Sequence, residues 1–161
     1  MDSASLDAMI QEHAQAAVET ARAMNVALDY SEQSLEQVEQ ILARLHQELR
    51  DWKIARAATT AVASGPVDAP TGPSDNQMSD MCRLWGSYFG EVVRHRWGGE
   101  WNVETYPGGS FATLTLTVSA GKLFPSMKVY RRLTEGDADN LWTFYQTVRR
   151  RLAAAPGAAV R

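Results

Sequence analysis

The chain is 161 residues long, 45% hydrophobic and 22% charged, with a formal net charge of −3 and a single cysteine, Cys82. This is the length and composition of one globular domain, able to bury about two thirds of its unfolded surface. No apolar run approaches the roughly 20 residues that span a bilayer, one cysteine leaves no intramolecular disulfide, and the acidic balance argues against nucleic-acid binding by the domain as a whole. The start, Met-Asp-Ser-Ala-Ser-Leu-Asp, has neither the basic nor the apolar part of a signal peptide, so a reducing cytoplasm is the expected location. The charge is unevenly placed: residues 1–55 hold ten acids and four bases, residues 128–161 three acids and seven bases. Such asymmetry lets the two ends attract each other in the fold, or lets one face meet a charged partner.

Residues 4–25 read as a first helix capped by Ser3 or Ser5, with Leu6, Met9, Ile10, His13, Ala17, Ala21 and Met24 on its apolar stripe. A short extended connection through Val26, Leu28 and Tyr30 leads to a second helix capped by Ser31 or Ser34. Ser34 with Gln37 has the spacing of a capping box. Along it Leu35, Val38, Leu42, Leu45, Leu49 and Trp52 keep heptad spacing, so the two helices are expected to form an antiparallel hairpin. Its face with Glu32, Glu36, Glu39, Glu48 and Asp51 is acidic: a solvated surface, or a docking surface for a basic partner.

Pro66, Pro70 and Pro73 forbid a continuous helix in the Ala, Thr, Gly and Pro-rich stretch 57–77, expected as a flexible loop. A central helix follows within the stretch 81–101, capped by Ser79 and ending before Gly98-Gly99. Its apolar residues Met81, Leu84, Trp85, Tyr88, Phe89, Val92 and Val93 leave only a narrow polar arc that includes Ser87 and Glu91. A helix so apolar is covered on most sides. Cys82, Gly86 and Gly90 add a ridge of small residues along which another backbone can approach, and Arg94-His95-Arg96 before Gly98 suit a helix C-terminus.

Beyond it the period changes from 3.6 to 2. Strands are expected at 100–106 and 111–119, with a third beginning at Lys122-Leu123-Phe124 and interrupted at Pro125. Residues 127–133 continue it or form a fourth, and Thr113, Thr115 and Thr117 line a solvent face. A last helix starts at Gly136-Asp137, and the tail 153–161 is expected to fray. The whole is one α+β domain: an N-terminal antiparallel helical hairpin, a central buried helix, a 3–4-stranded antiparallel sheet and a C-terminal helix.

The sequence holds no phosphate-binding loop, nucleophile elbow, metalloprotease helix or cysteine pair. Glu91 and His95, at i and i+4, can face each other on the central helix. That spacing orients an imidazole or supplies two metal ligands, with His13, His46 or Cys82 as the third group; a helix-stabilising pair is the plainer reading. Arg131, Arg132 and Arg149-Arg150-Arg151, with Lys128, can cluster to bind a nucleic-acid backbone or an acidic protein, or can balance the acidic helices.

Four pieces together resemble a family of small, functionally uncharacterised bacterial proteins, some of which look like immunity partners of secreted toxins. They are Leu28-Asp29-Tyr30-Ser31 before Ser34-Leu35, the run Trp85 to Val93, Gly99-Glu100-Trp101, and Phe124-Pro125 with Lys128-Val129-Tyr130-Arg131-Arg132-Leu133. The resemblance implies a stand-alone cytoplasmic protein and supplies no catalytic residues. The expected function is thus non-enzymatic: capture of a protein partner, a toxin or effector, through surface residues drawn from Glu32, Glu36, Glu39, Glu91, His95, Arg131 and Arg132. No cofactor, metal or membrane is expected, and nucleic acid is the weaker candidate partner. The alternatives are an enzyme or metal-dependent hydrolase using Glu91 and His95, and an anionic-partner binder using the C-terminal arginines.

Overall fold

The computed structural model describes residues 2–62 and 72–155. Within them the chain forms α1 (Ser3–Ala23), α2 (Ser34–Val62), α3 (Asp75–Trp97), β1 (Glu100–Thr105), β2 (Ala112–Val118), β3 (Gly121–Leu123), α4 (Pro125–Glu135), a 3-10 turn (Asp137–Asp139) and α5 (Leu141–Ala154). The architecture is α+β, with one antiparallel sheet of order β1-β2-β3 among the described residues. Residues 63–71 of the expected loop, and 156–161 of the expected tail, lie outside the described residues. The helical bounds reach into both: α2 runs to Val62, α3 begins at Asp75 and α5 ends at Ala154.

Everything is arranged about α3. Trp85 through Val93 are buried without a break, so Ser87 and Glu91, expected on a polar arc, are inside too. Its start is five residues earlier than the Ser79 reading. Ser74 accepts the Gln77 N–H at 3.2 Å while the Gln77 side chain accepts the Ser74 N–H at 2.8 Å, a complete capping box. Its end is where the sequence placed it, at Gly98 with φ +79°. The small-residue ridge is used on two sides. A Cβ on Gly86 would stand 2.7 Å from the Ser126 backbone at the start of α4, and one on Gly90 would fall inside the Trp101 indole. Only the missing side chains let α4 and β1 close onto α3.

The first two helices do not form the expected hairpin. α1 lies along α3, whereas α2 packs on α4 and α5. Each apolar stripe is buried as its spacing demands, with Ile10, Ala14, Ala17 and Ala21 on α1 and Leu35, Val38 and Leu42 on α2, but against other partners. Asp2, in place of Ser3 or Ser5, caps α1 by accepting the Ser5 N–H at 2.8 Å. That hydrogen bond also holds the Asp2 carboxyl below its ordinary pKa. Asn25, at φ +63°, ends α1: its N–H meets Arg22 O and that of Val26 meets Ala21 O, the paired bonds of a Schellman cap. The Ser34–Gln37 box is not made. Ser31 Oγ accepts the Ser34 N–H, and the Ser34 hydroxyl turns inward to share a 2.6 Å hydrogen bond with the buried Tyr88 hydroxyl.

β1 and β2 pair with Trp101 opposite Leu116 and Val103 opposite Leu114. β3 pairs Leu123 with Leu116. The threonine face is not the open surface expected, since Leu114, Thr115 and Leu116 are buried in succession and the middle of β2 is covered on both sides. The largest correction follows β3. Residues 127–133 form no strand: they lie in α4, with Pro125 at its first turn, where a missing N–H costs nothing and the ring pre-sets φ. Pro125, Val129, Arg132 and Leu133 are buried, a 3.6-residue spacing that the shorter alternation of Met127, Val129 and Arg131 obscures. The last helix also starts later than Gly136-Asp137, with Asn140 accepting the Thr143 N–H at 3.0 Å.

Candidate functional site

The seven residues expected to meet a partner are dispersed, and four of them are spent inside the fold. Glu39 is 7% exposed and Arg132 3%. Arg132 donates Nε to Oε1 at 2.8 Å and Nη2 to Oε2 at 3.0 Å, and the Leu141 N–H, an orphan donor of the first turn of α5, reaches Oε1 at 2.9 Å. One carboxylate thereby ties α2 to α4 and α5. Glu32 accepts from Arg96 Nε at 2.9 Å and lies 3.4 Å from Arg149 Nε. The acidic N-terminal and basic C-terminal regions do attract each other, through Glu39–Arg132 and Glu32–Arg149. Glu36 remains exposed, and Glu48 and Asp51 of the same face are met by Arg44 and Gln47 on their own helix.

Glu91 and His95 do not form a dyad. Arg94 donates to both Glu91 oxygens, at 2.6 and 2.9 Å, and the Trp101 indole N–H to Oε2 at 3.0 Å. Burial pushes the Glu91 pKa up, but the hydrogen bonds from Arg94 and Trp101 outweigh it and hold the carboxyl below its ordinary value. His95 is exposed and stacks on Tyr30 at 5.0 Å. Of the third groups considered, His46 Nδ1 hydrogen-bonds Leu133 O at the end of α4 and Cys82 is buried, its thiol pushed up to about 12 by burial. Among the described residues no group of three His, Cys, Asp or Glu side chains is placed to hold a metal. Among the described residues most of the expected bases are engaged: Arg131 and Lys128 both face Asp139, at 3.4 and 3.2 Å, and Arg132 and Arg149 are engaged as above, while Arg150 and Arg151 stay exposed on α5.

The site that does emerge was not legible as a motif. Between α1, the N-terminal half of α3, the β1–β2 hairpin and the start of α4 lies a groove of about 650 Å³. Met9, Met78, Met127, Val103, Phe111 and Tyr130 supply its apolar lining, with Cys82 and Ser126 also in its wall. Val103 is 55% exposed, Phe111 46% and Tyr130 43%, three of the four large hydrophobic side chains left exposed among the described residues. Along the sheet, Trp101 sits under α3 at Gly90 and opposite Leu116, and two residues further Val103 and Leu114 continue the same face. There α3 presents Met78, Ser79 and Cys82 to the groove, and Leu114 is buried while Val103 stays exposed. Three of the six methionines of the chain line this groove, and such flexible, polarizable side chains adapt to varied apolar partners. Groove residues scattered from Met9 to Tyr130 leave no local sequence signal. None of the seven expected residues lines it.

Compared with protein-family models, with curated proteins and with solved structures, the chain matches none. No helix among the described residues is long and apolar enough to cross a membrane.

Proposed function

We propose that the protein is a non-enzymatic binding module whose partner is another protein, docked through the groove between α1, α3, α4 and the β1–β2 hairpin. The observation that carries this reading is the convergence of Val103, Phe111 and Tyr130, all exposed, with Met9, Met78 and Met127 on one concavity. Contiguous exposed apolar surface of this kind marks interaction sites. The engagement of both Glu91 oxygens by Arg94 and Trp101 speaks against the hydrolase alternative, and the internal pairing of Arg132, Arg149 and Lys128 against the basic-patch alternative.

The narrower form of the proposal is the immunity role implied by the sequence resemblance, in which this face closes over a toxin in the cytoplasm and occludes its active site. The experiment is co-expression with the product of the neighbouring open reading frame. Co-purification, and rescue of cells from its toxicity, are expected for the wild type and for Glu36→Gln, and both are lost in Val103→Glu. A neighbour that is neither toxic nor bound removes the immunity role. Retention of a bound neighbour by Val103→Glu removes the groove.

A further inference from the structure

From the groups on the groove's rim we infer that its partner is a basic amphipathic segment, apolar anchor side chains flanked by Lys or Arg. This rests on the groove being a protein-binding site. Two charged residues line the groove, Asp75 and Arg83. They are not equivalent. The Arg83 guanidinium donates to Asp80 Oδ1 at 2.6 Å, a surface pair that is already neutral. Asp75 is exposed and makes no ion pair or side-chain hydrogen bond among the described residues.

The other polarised groups point the same way. Phe111 and Tyr130, half exposed in the same wall, are aromatic rings of the kind that attract cations, Phe111 having one face stacked on Tyr106 at 5.5 Å. An incoming cation therefore meets a free carboxylate and two half-exposed aromatic rings, whereas an incoming anion meets an arginine already occupied. The methionines supply the apolar part, and a long Lys or Arg side chain lays its methylenes on such a surface while its head reaches the rim. Complementary charge of this kind selects the partner and speeds encounter more than it deepens binding.

The test uses the full-length protein with ¹³C-methyl methionine and two synthetic amphipathic helices of identical apolar face, one Leu/Lys and one Leu/Glu. The Leu/Lys peptide is expected to shift the methyl resonances of Met9, Met78 and Met127 and leave that of Met24, outside the groove, in place. Asp75→Asn is expected to weaken it about three- to fivefold, the scale of one exposed ion pair, with a matching loss of salt dependence. Val103→Gln, at an exposed position, is expected to weaken it further without moving the Met24 signal that reports an intact fold. Binding of the Leu/Glu peptide to the same three methyls, as tightly or more so, overturns the charge assignment and leaves the groove reading standing. Failure of both peptides to move these methyls overturns both.

Discussion

Substituting Gly86 by Ala separates two opposed effects whose sizes follow from the structure. In an open helical position the change stabilises by about 1 kcal/mol, through helix propensity and a less flexible unfolded chain. Here the added Cβ would stand 2.7 Å from both Ser126 N and Ser126 Cα, and 3.0 Å from Pro125 C. Ordinary contact begins near 3.4 Å, so the start of α4 must retreat by about 0.7 Å. The opposing atoms are backbone, and no rotamer change relieves them. Forced overpacking costs about 1–3 kcal/mol, and α4, tied to α2 by Glu39–Arg132 and thus not free to retreat from α3, puts this case at the upper end. The net expectation is a destabilisation of about 1–2 kcal/mol, a fall in Tm of about 3–6 °C for a chain of this size. Gly121→Ala is the control: its Cβ meets nothing nearer than Val118 O at 3.7 Å, so its effect stays within about 0.5 kcal/mol. Thermal unfolding followed by circular dichroism reads both. A Gly86→Ala protein more stable than wild type would refute the close approach of α3 and α4.

Glu39→Ala leaves the buried Arg132 with only the exposed Asp137, 3.8 Å away, as a counter-charge and the Leu141 N–H without its acceptor. A loss of about 3–5 kcal/mol is expected in urea denaturation, against about 0.5 kcal/mol or less for Glu36→Ala; equal effects would contradict the clasp. Glu91 gives a pH dependence whose sign is fixed by its lowered pKa. Its stabilising contribution is complete above the ordinary value of 4.5 and is lost as pH falls through the lower, folded one. The stability gap between wild type and Glu91→Gln is therefore expected to narrow between pH 5 and pH 3 in urea titrations, and a constant gap would contradict it. Cys82, with its thiol pushed up to about 12 by burial, is expected to react with an aromatic disulfide reagent at pH 8 only on the timescale of local opening, and rapidly in urea. Rapid native labelling would place the thiol at the surface.

What the sequence disclosed was periodicity, and what it withheld was partnership. The buried character of α3, its glycine ridge and its Gly98 cap are properties of contiguous residues and were readable. So was the β1–β2 hairpin, where alternation runs for six or seven residues. The stripe of α1 and that of α2 were readable as stripes, but nothing in a stripe says which neighbour covers it, and the expected hairpin gave way to α1 on α3 and α2 on α4. Residues 127–133 satisfied both periods over a span too short to choose. Pro125 followed by Val129 and Leu133 at four-residue steps was the overlooked signal. Glu39 offered a similar clue. It stands four residues after Leu35 and three before Leu42, inside the apolar stripe, where a carboxylate needs a buried partner. The groove had no such clue, because its lining comes from five separate elements.

The most direct measurement is the affinity of the wild type and of a Val103→Glu, Tyr130→Glu double variant for the product of the neighbouring open reading frame, the proposed partner, by isothermal calorimetry, with Tm recorded for each. Both positions are solvent-exposed in the free protein, so Tm is expected to change little. Central apolar anchors contribute 2 kcal/mol or more each when removed, so the affinity is expected to fall by at least about 30-fold. An unchanged affinity with an unchanged Tm would show that partners dock elsewhere and that the groove is not the site.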